Sequence, residues 1–129
     1  MAEVLVDTDI LIDFSRGMTA TAQYFQASTQ GSLAISSVTQ MELIVGCQDK
    51  RALRMIDRFL TRFQVFPVTP EITNQTIDLL HEYNLSHGLL IPDALIASTA
   101  LMLDLPFMTR NQRDFRFIPN LTLLPPPGS

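Results

Sequence analysis

Short apolar runs alternate with amphipathic stretches along the whole chain, and no other feature limits the fold as strongly. Glu3 to Val6, Leu33 to Val38, Val65 to Val68, Pro106 to Met108 and Leu121 to Leu124 read as five strands. Between the first two, apolar residues at helical spacing run from Thr8 to Gly17, and a second helix runs from Thr19, its cap, to about Ser28. Thr39 opens a helix through Gly46. Asp49 opens another, whose Leu53, Ile56, Leu60 and Phe63 share one face that belongs in the core. After Thr69-Pro70, the positions Ile72, Ile77, Leu80 and Tyr83 predict a long helix ending near Gly88. The helix from Asp93 to Leu103, with Pro92 in its first turn, is rich in Ala and Leu, and Asn111 to Phe117 reads as a short helical turn. Strands alternating with helices require a sheet covered on both faces and right-handed crossovers. The expected fold is α/β, a small three-layer sandwich around a central, mainly parallel five-stranded sheet. At 129 residues the chain supports one such core: residues 1–124 as a single domain, followed by a proline-rich tail over residues 125–129.

Composition narrows the function. Apolar residues are 47% of the chain and charged residues 17%, which supplies a core and excludes wholesale disorder. Nine Lys and Arg face thirteen Asp and Glu, a net charge of −4, the wrong sign for gripping a polyanion by bulk charge. Contact with nucleic acid must therefore rest on local basic patches. Cys47 is the single cysteine, so neither a disulfide frame nor a cysteine zinc site exists and a reducing cytoplasm fits best. No apolar run approaches the roughly 20 residues of a membrane span, and the acidic start lacks a leader, so a soluble, cytoplasmic protein is expected. The five glycines are scattered, which excludes a phosphate-binding glycine loop. His81 and His87, six apart, match neither a same-face metal pair nor a nucleophilic triad.

In parallel sheets, ligands sit beyond the carboxyl ends of the strands. Asp7 ends the first strand, Glu42 lies one turn into the helix after the second, Asp93 opens the helix before the fourth, and Asp114 follows the fourth. Four acids from distant parts of the chain are thus expected at one rim. Their repulsion calls for a cation, and a hard divalent ion, Mg²⁺ or Mn²⁺, is the natural partner of carboxylates. Each acid alone could instead be a helix cap: Thr39-Gln40-Met41-Glu42 matches a capping box, and Asp7 and Asp93 sit where a helix dipole favours negative charge. Caps need no common side of a sheet, whereas ligands must share one. Setting these four aside leaves nine acids against nine bases, so the acidic excess equals the cluster.

The segments Val6-Asp7-Thr8-Asp9-Ile10-Leu11-Ile12, Ser37-Val38-Thr39-Gln40-Met41-Glu42-Leu43, Pro92-Asp93-Ala94-Leu95-Ile96-Ala97 and Thr109-Arg110-Asn111-Gln112-Arg113-Asp114-Phe115 resemble, in order and spacing, the four signature blocks of PIN-domain ribonucleases. The similarity spans residues 4 to 124 and is greatest to the small VapC-type toxins of bacterial toxin-antitoxin pairs. It implies that Asp7, Glu42, Asp93 and Asp114 hold Mg²⁺, with Thr8 and Asn111 supporting them through hydrogen bonds. Asp9 departs from the pattern, which more often has Asn or Ser there, and adds a fifth acid as an extra ligand or a cap. Asp13, a turn further on, reads as a solvated surface residue. The resemblance also implies a homodimer and a small antitoxin whose tail presents an arginine to the acidic cleft.

The chemistry that fits is hydrolysis of RNA phosphodiesters by water, with a divalent ion neutralising charge on the phosphate and no covalent nucleophile from the protein. RNA needs basic residues near the rim. Arg110 and Arg113 flank Asn111 and Asp114 and are the favoured contacts. Arg54, Arg58 and Arg62, four apart with Lys50 and Arg51 before them, form a second cationic stripe. No tryptophan is present and no aromatic platform for single strands is evident. A PIN ribonuclease without an antitoxin is the first alternative. An aspartyl-phosphate phosphotransferase using Asp7 lacks a lysine other than Lys50, and a non-catalytic RNA-binding module leaves the four acids unexplained.

Overall fold

The computed structural model describes residues 1–128. Its elements follow one another as β1 (Val4–Val6), α1 (Thr8–Ser15), α2 (Thr19–Ala27), β2 (Leu33–Ser36), α3 (Ser37–Val45), α4 (Lys50–Leu60), β3 (Gln64–Phe66), α5 (Pro70–His87), α6 (Ile91–Leu103), β4 (Phe107–Met108) and β5 (Leu123–Leu124), with a 3₁₀ turn over Gln112–Asp114. The strands lie in the order β3-β2-β1-β4-β5, and all four ladders are parallel. The chain builds outward from β1 to β2 and β3, then crosses back to place β4 on the other side of β1. The connections therefore diverge between β1 and β4, and a crevice opens at their carboxyl ends.

Strand alternation divides the interior into two cores, because neighbouring side chains of a strand point to opposite faces. Leu5, Ala34 and Phe107 pack on one side with Leu79, Ile96, Ala97 and Ala100 of α5 and α6. Val6, Ile35 and Met108 pack on the other with Ile10, Leu11, Phe25 and Leu60 of α1, α2 and α4. In α6 the residues Ala94 and Ile96 through Ala100 are all buried, which explains its lack of charge beyond the first turn.

The punctuation expected from local chemistry forms at several helix ends. Asp49 Oδ1 accepts the amide of Ala52, Thr69 Oγ1 accepts that of Ile72, and Gly88 closes α5 in the left-handed region at φ 71°. Elsewhere the structure corrects the reading. Helix α3 starts two residues before Thr39, because the β2 to β3 ladder ends at Ser36, whose hydroxyl then accepts the amide of Val38. The capping box at Thr39 does not form, and Thr39 is buried inside the helix. Thr19 is the first residue of α2 rather than its cap, since Met18 holds that place. Ile77 is 48% exposed on α5, and Thr76 and Leu79 turn inward instead.

Candidate active site

Asp7 leaves β1 at the divergence point and caps α1, its Oδ1 accepting the amide of Thr8 at 2.8 Å. Its other oxygen accepts the hydroxyl of Thr109, the residue after β4, at 2.7 Å. That bond spans 102 positions of sequence and joins the two strands between which the crevice opens. Thr109 is fully buried and accepts the amide of Asn111, so one hydroxyl fixes both Asp7 and the loop that carries Asp114. Gln112 anchors the same loop by donating to the carbonyls of Thr109 and Leu124.

The neighbouring acids are built in from four elements. Asp9, in the first turn of α1, accepts the amide of Arg110 at 3.1 Å and lies 3.3 Å from the Thr109 hydroxyl, while its Oδ1 is buried with no partner. The exposed Glu42 on α3 accepts the hydroxyl of Thr8 at 2.7 Å, and Thr8 also meets Thr39 at 3.0 Å. Asp93, half-buried in the first turn of α6, lines one small pocket together with Asp114.

These carboxyls act on one another. Burial, then the charge of Asp9, pushes Asp7 up to about 7, with Asp93 adding a smaller push and the bonds from Thr109 and Thr8 opposing it. Burial raises Asp9 as well. Asp93 is raised first by burial and then by Asp114, Glu42 and Asp9. Five acids thus share one electrostatic neighbourhood, with no basic side chain among the causes. Among the described residues no three of these side chains stand close enough to enclose one ion. Asp7, Asp9 and Glu42 are turned to hydroxyls and amides of the protein.

A divalent cation nevertheless suits this donor set. All the donors are hard oxygens, and the buried, unpartnered Oδ1 of Asp9 lacks the hydrogen bond that buried oxygens almost always have. Asp9 is therefore no helix cap. It ties α1 to the loop after β4 with one oxygen, and its other oxygen is buried without a hydrogen-bond partner.

The basic residues divide differently from the sequence reading. Arg110 forms a close ion pair with Asp13 and its guanidinium also approaches the Met18 sulfur, so it is committed within the protein. Asp13 itself is only 2% exposed, a correction to its reading as a surface residue. Arg62 donates to the carbonyl of Phe25 at 2.6 Å and leaves the stripe, whereas Arg54 and Arg58 on α4 and Arg113 beside Asp114 remain exposed. Asn111 contributes its backbone amide to Thr109, with its side chain exposed. Thr109 escaped the sequence reading, because a threonine after a two-residue strand carries no local signal. Only the pairing of β4 with β1 brings it to Asp7.

Known proteins resemble this chain over most of its length. The PIN domain family model matches residues 4–120. Ribonuclease VapC10 of Mycobacterium tuberculosis is 37% identical over 126 residues, covering 96% of this chain and 92% of that protein. A toxin-antitoxin complex from Klebsiella pneumoniae contains a chain 33% identical, superposing with a TM-score of 0.78 over 93% of this chain and 96% of its own. The DNA-bound VapBC of Salmonella typhimurium contains a chain 25% identical with a TM-score of 0.84, covering 97% of this chain and 98% of its own.

Proposed function

The chain belongs to the PIN-domain family and, within it, to the VapC ribonucleases, and from that premise we propose that it is a metal-dependent endoribonuclease, the toxin of a toxin-antitoxin pair. The observation that carries the reading is the hydroxyl of Thr109 locking Asp7 where β1 and β4 diverge, with the charges of Asp9 and Asp93 acting on Asp7 and those of Asp114, Glu42 and Asp9 acting on Asp93. Asp7, Glu42, Asp93 and Asp114 would hold Mg²⁺ or Mn²⁺, and Asp9 joins them through its free oxygen. When bound, such an ion makes hydroxide available near neutral pH and neutralises charge developing on the phosphate oxygens. Asp7 stays fixed by Thr109 and the Thr8 amide, and so orients the site. Either Asp93 or Asp114, neither of them held as Asp7 is, would accept the one proton that the attacking water loses. Arg113, with Arg54 and Arg58 further out, receives the flanking phosphates.

The same reading supplies partners. A groove of about 710 Å³ between α1, α3 and α4 starts at Thr8 and Glu42 and continues along Leu11, Ile12, Leu43 and Ile56. Apolar walls with a carboxylate at one end suit an amphipathic antitoxin tail that ends in a cation. The strip of exposed Ile77, Leu85, Leu90 and Ile91 along α5 and the start of α6 is the proposed homodimer face. Action on cellular RNA, the single Cys47 and the lack of any helix long and apolar enough to cross a membrane among the described residues are consistent with a cytoplasmic site of action. Membership of this family sets aside the phosphotransferase alternative.

The test is cleavage of cellular RNA by the purified chain with Mg²⁺. Asp7→Asn and Asp93→Asn should each abolish it while the circular dichroism spectrum is retained. Expression alone should arrest growth, and co-expression of the short gene beside it should relieve the arrest. Undiminished cleavage by both variants would remove the site.

A further inference from the structure

Beside the acids lies a small pocket of about 130 Å³ whose lining includes His87, Gly88 and Leu89 together with Asp93 and Asp114. His87 is the last residue of α5, and its ring stacks on Phe117 with centroids 4.1 Å apart and planes 17° from parallel. Tyr83, one turn earlier, meets both rings edge-on or tilted, at 5.7 Å from His87 and 5.1 Å from Phe117. The Ser86 hydroxyl lies 2.8 Å from Nδ1 of His87. An exposed histidine at a helix end ordinarily samples several rotamers, and fixing such a side chain has an entropic cost. Here three neighbours hold the ring in one orientation, although the residue remains exposed.

The turn after α5 explains why this ring stands beside the acids. Gly88, left-handed at φ 71°, donates to the carbonyl of Asn84, and the Asn84 side chain donates to the carbonyl of Leu89. The chain reverses within three residues, Leu90 caps α6, and Asp93 falls in its first turn. A side chain added at Gly88 would meet no atom within 4 Å, so space is open at this turn. The pocket is close in size to the roughly 150 Å³ that accommodates a single aromatic ring in an engineered protein cavity.

We propose that His87, backed by Phe117 and Tyr83, is a stacking shelf for one unpaired nucleobase of the RNA substrate next to the phosphate cleaved at the acidic rim. The inference rests on the nuclease reading and names how that site grips its substrate. A base stacked on the outer face of His87 extends a pile of rings already begun inside the protein, and stacking accepts any base because each has a π face. It also answers an electrostatic difficulty. In a net-negative chain whose Arg110 is bound to Asp13, Arg113 is left as the free cation beside Asp114 among the described residues, and a grip on RNA that does not depend on charge adds to what it supplies. His87 is thus a positioning residue for substrate and takes no part in proton transfer.

The test uses short single-stranded RNAs spanning a site that the wild-type protein cleaves, each with 2-aminopurine at one position. Fluorescence is read with Ca²⁺ in place of Mg²⁺, and cleavage with Mg²⁺. Loss of one stack should raise KM about tenfold in His87→Ala, with kcat nearly unchanged, because the stack is equal in ground and transition states. Quenching of the 2-aminopurine beside the cut should disappear in this variant. His87→Phe should restore both KM and quenching, with the pH-rate profile of the wild type, since only the ring face is needed. Two results would overturn the proposal: His87→Ala matching wild type in both measurements, or His87→Phe behaving like His87→Ala. The site behind the nuclease reading fails separately, through Asp7→Asn and Asp93→Asn both retaining full cleavage, and the fluorescence arm still decides the shelf because it requires no turnover.

Discussion

At the scale of single residues, Asp7 carries the sharpest consequence. It is 5% exposed, and its carboxyl is raised from 3.8 to about 7 chiefly by burial, then by Asp9. A carboxyl raised on folding binds protons more tightly in the native state, so its contribution to stability is complete below about pH 4 and is lost as the pH climbs through 7. In chelator, the stability of the wild-type protein should therefore fall between pH 5 and pH 8. Asp7→Asn removes that charge and should flatten the profile over this range. At pH 8 the variant should exceed wild type by about 3 kcal/mol, from roughly three units at 1.36 kcal/mol each, less the poorer fit of an amide to two donors. Thr109→Val should move the wild-type midpoint to higher pH, because the bond from Thr109 favours the ionised form. Urea titrations at stepped pH measure all three. A wild-type protein that gains stability from pH 5 to pH 8 in chelator would contradict the assigned environment of Asp7.

Between elements, the legible and the illegible separate by distance along the chain. Asp49, Thr69-Pro70 and Gly88 mark helix ends with chemistry confined to a few neighbours, and those ends fall where that chemistry puts them. The start of α3 does not, because two hydroxyl residues three apart compete for the cap and the β2 to β3 pairing, distant in sequence, settles it. Three of the four expected acids, Asp7, Asp93 and Asp114, lie at strand or helix ends that local patterns reveal, and Glu42 lies within α3. Thr109 and the burial of Asp13 depend on contacts made across about a hundred residues, which no periodicity encodes. The pair of Asp13 on α1 with Arg110 after β4 is one such contact, and it clamps the loop bearing Asp114 onto the first helix. Arg110 is 45% exposed at its side chain and Asp13 only 3%, so removing the arginine strands a buried carboxylate. Arg110→Ala should then cost about 2 to 3 kcal/mol. Adding Asp13→Asn should recover part of that, whereas independent sites would lose more. Denaturant midpoints of the four proteins decide between coupling and independence.

The whole molecule is organised around a charge imbalance that its fold concentrates in one place. Nine bases against thirteen acids is a modest excess, but the parallel order β3-β2-β1-β4-β5 brings Asp7, Asp9, Glu42, Asp93 and Asp114 toward one crevice without a basic partner among them. Native structure therefore works against its own site, and a ligand that relieves the repulsion must stabilise the entire fold, since it binds the folded state and not the dispersed acids of the unfolded chain. Mg²⁺ at a hundred times its dissociation constant should add about 2.7 kcal/mol. For a domain of this size that raises the melting temperature by about 10 °C. Protons on Asp7, Asp9 and Asp93 compete with the ion, because all three are raised. The increment should accordingly be small at pH 5 and grow through pH 8, and Asp7→Asn should lose most of it. NaCl at matched ionic strength controls for general screening, which acts on exposed charges everywhere and needs no particular acid. An increment reproduced by NaCl, or one equal at pH 5 and pH 8, would mean that the cation is not held by these carboxylates.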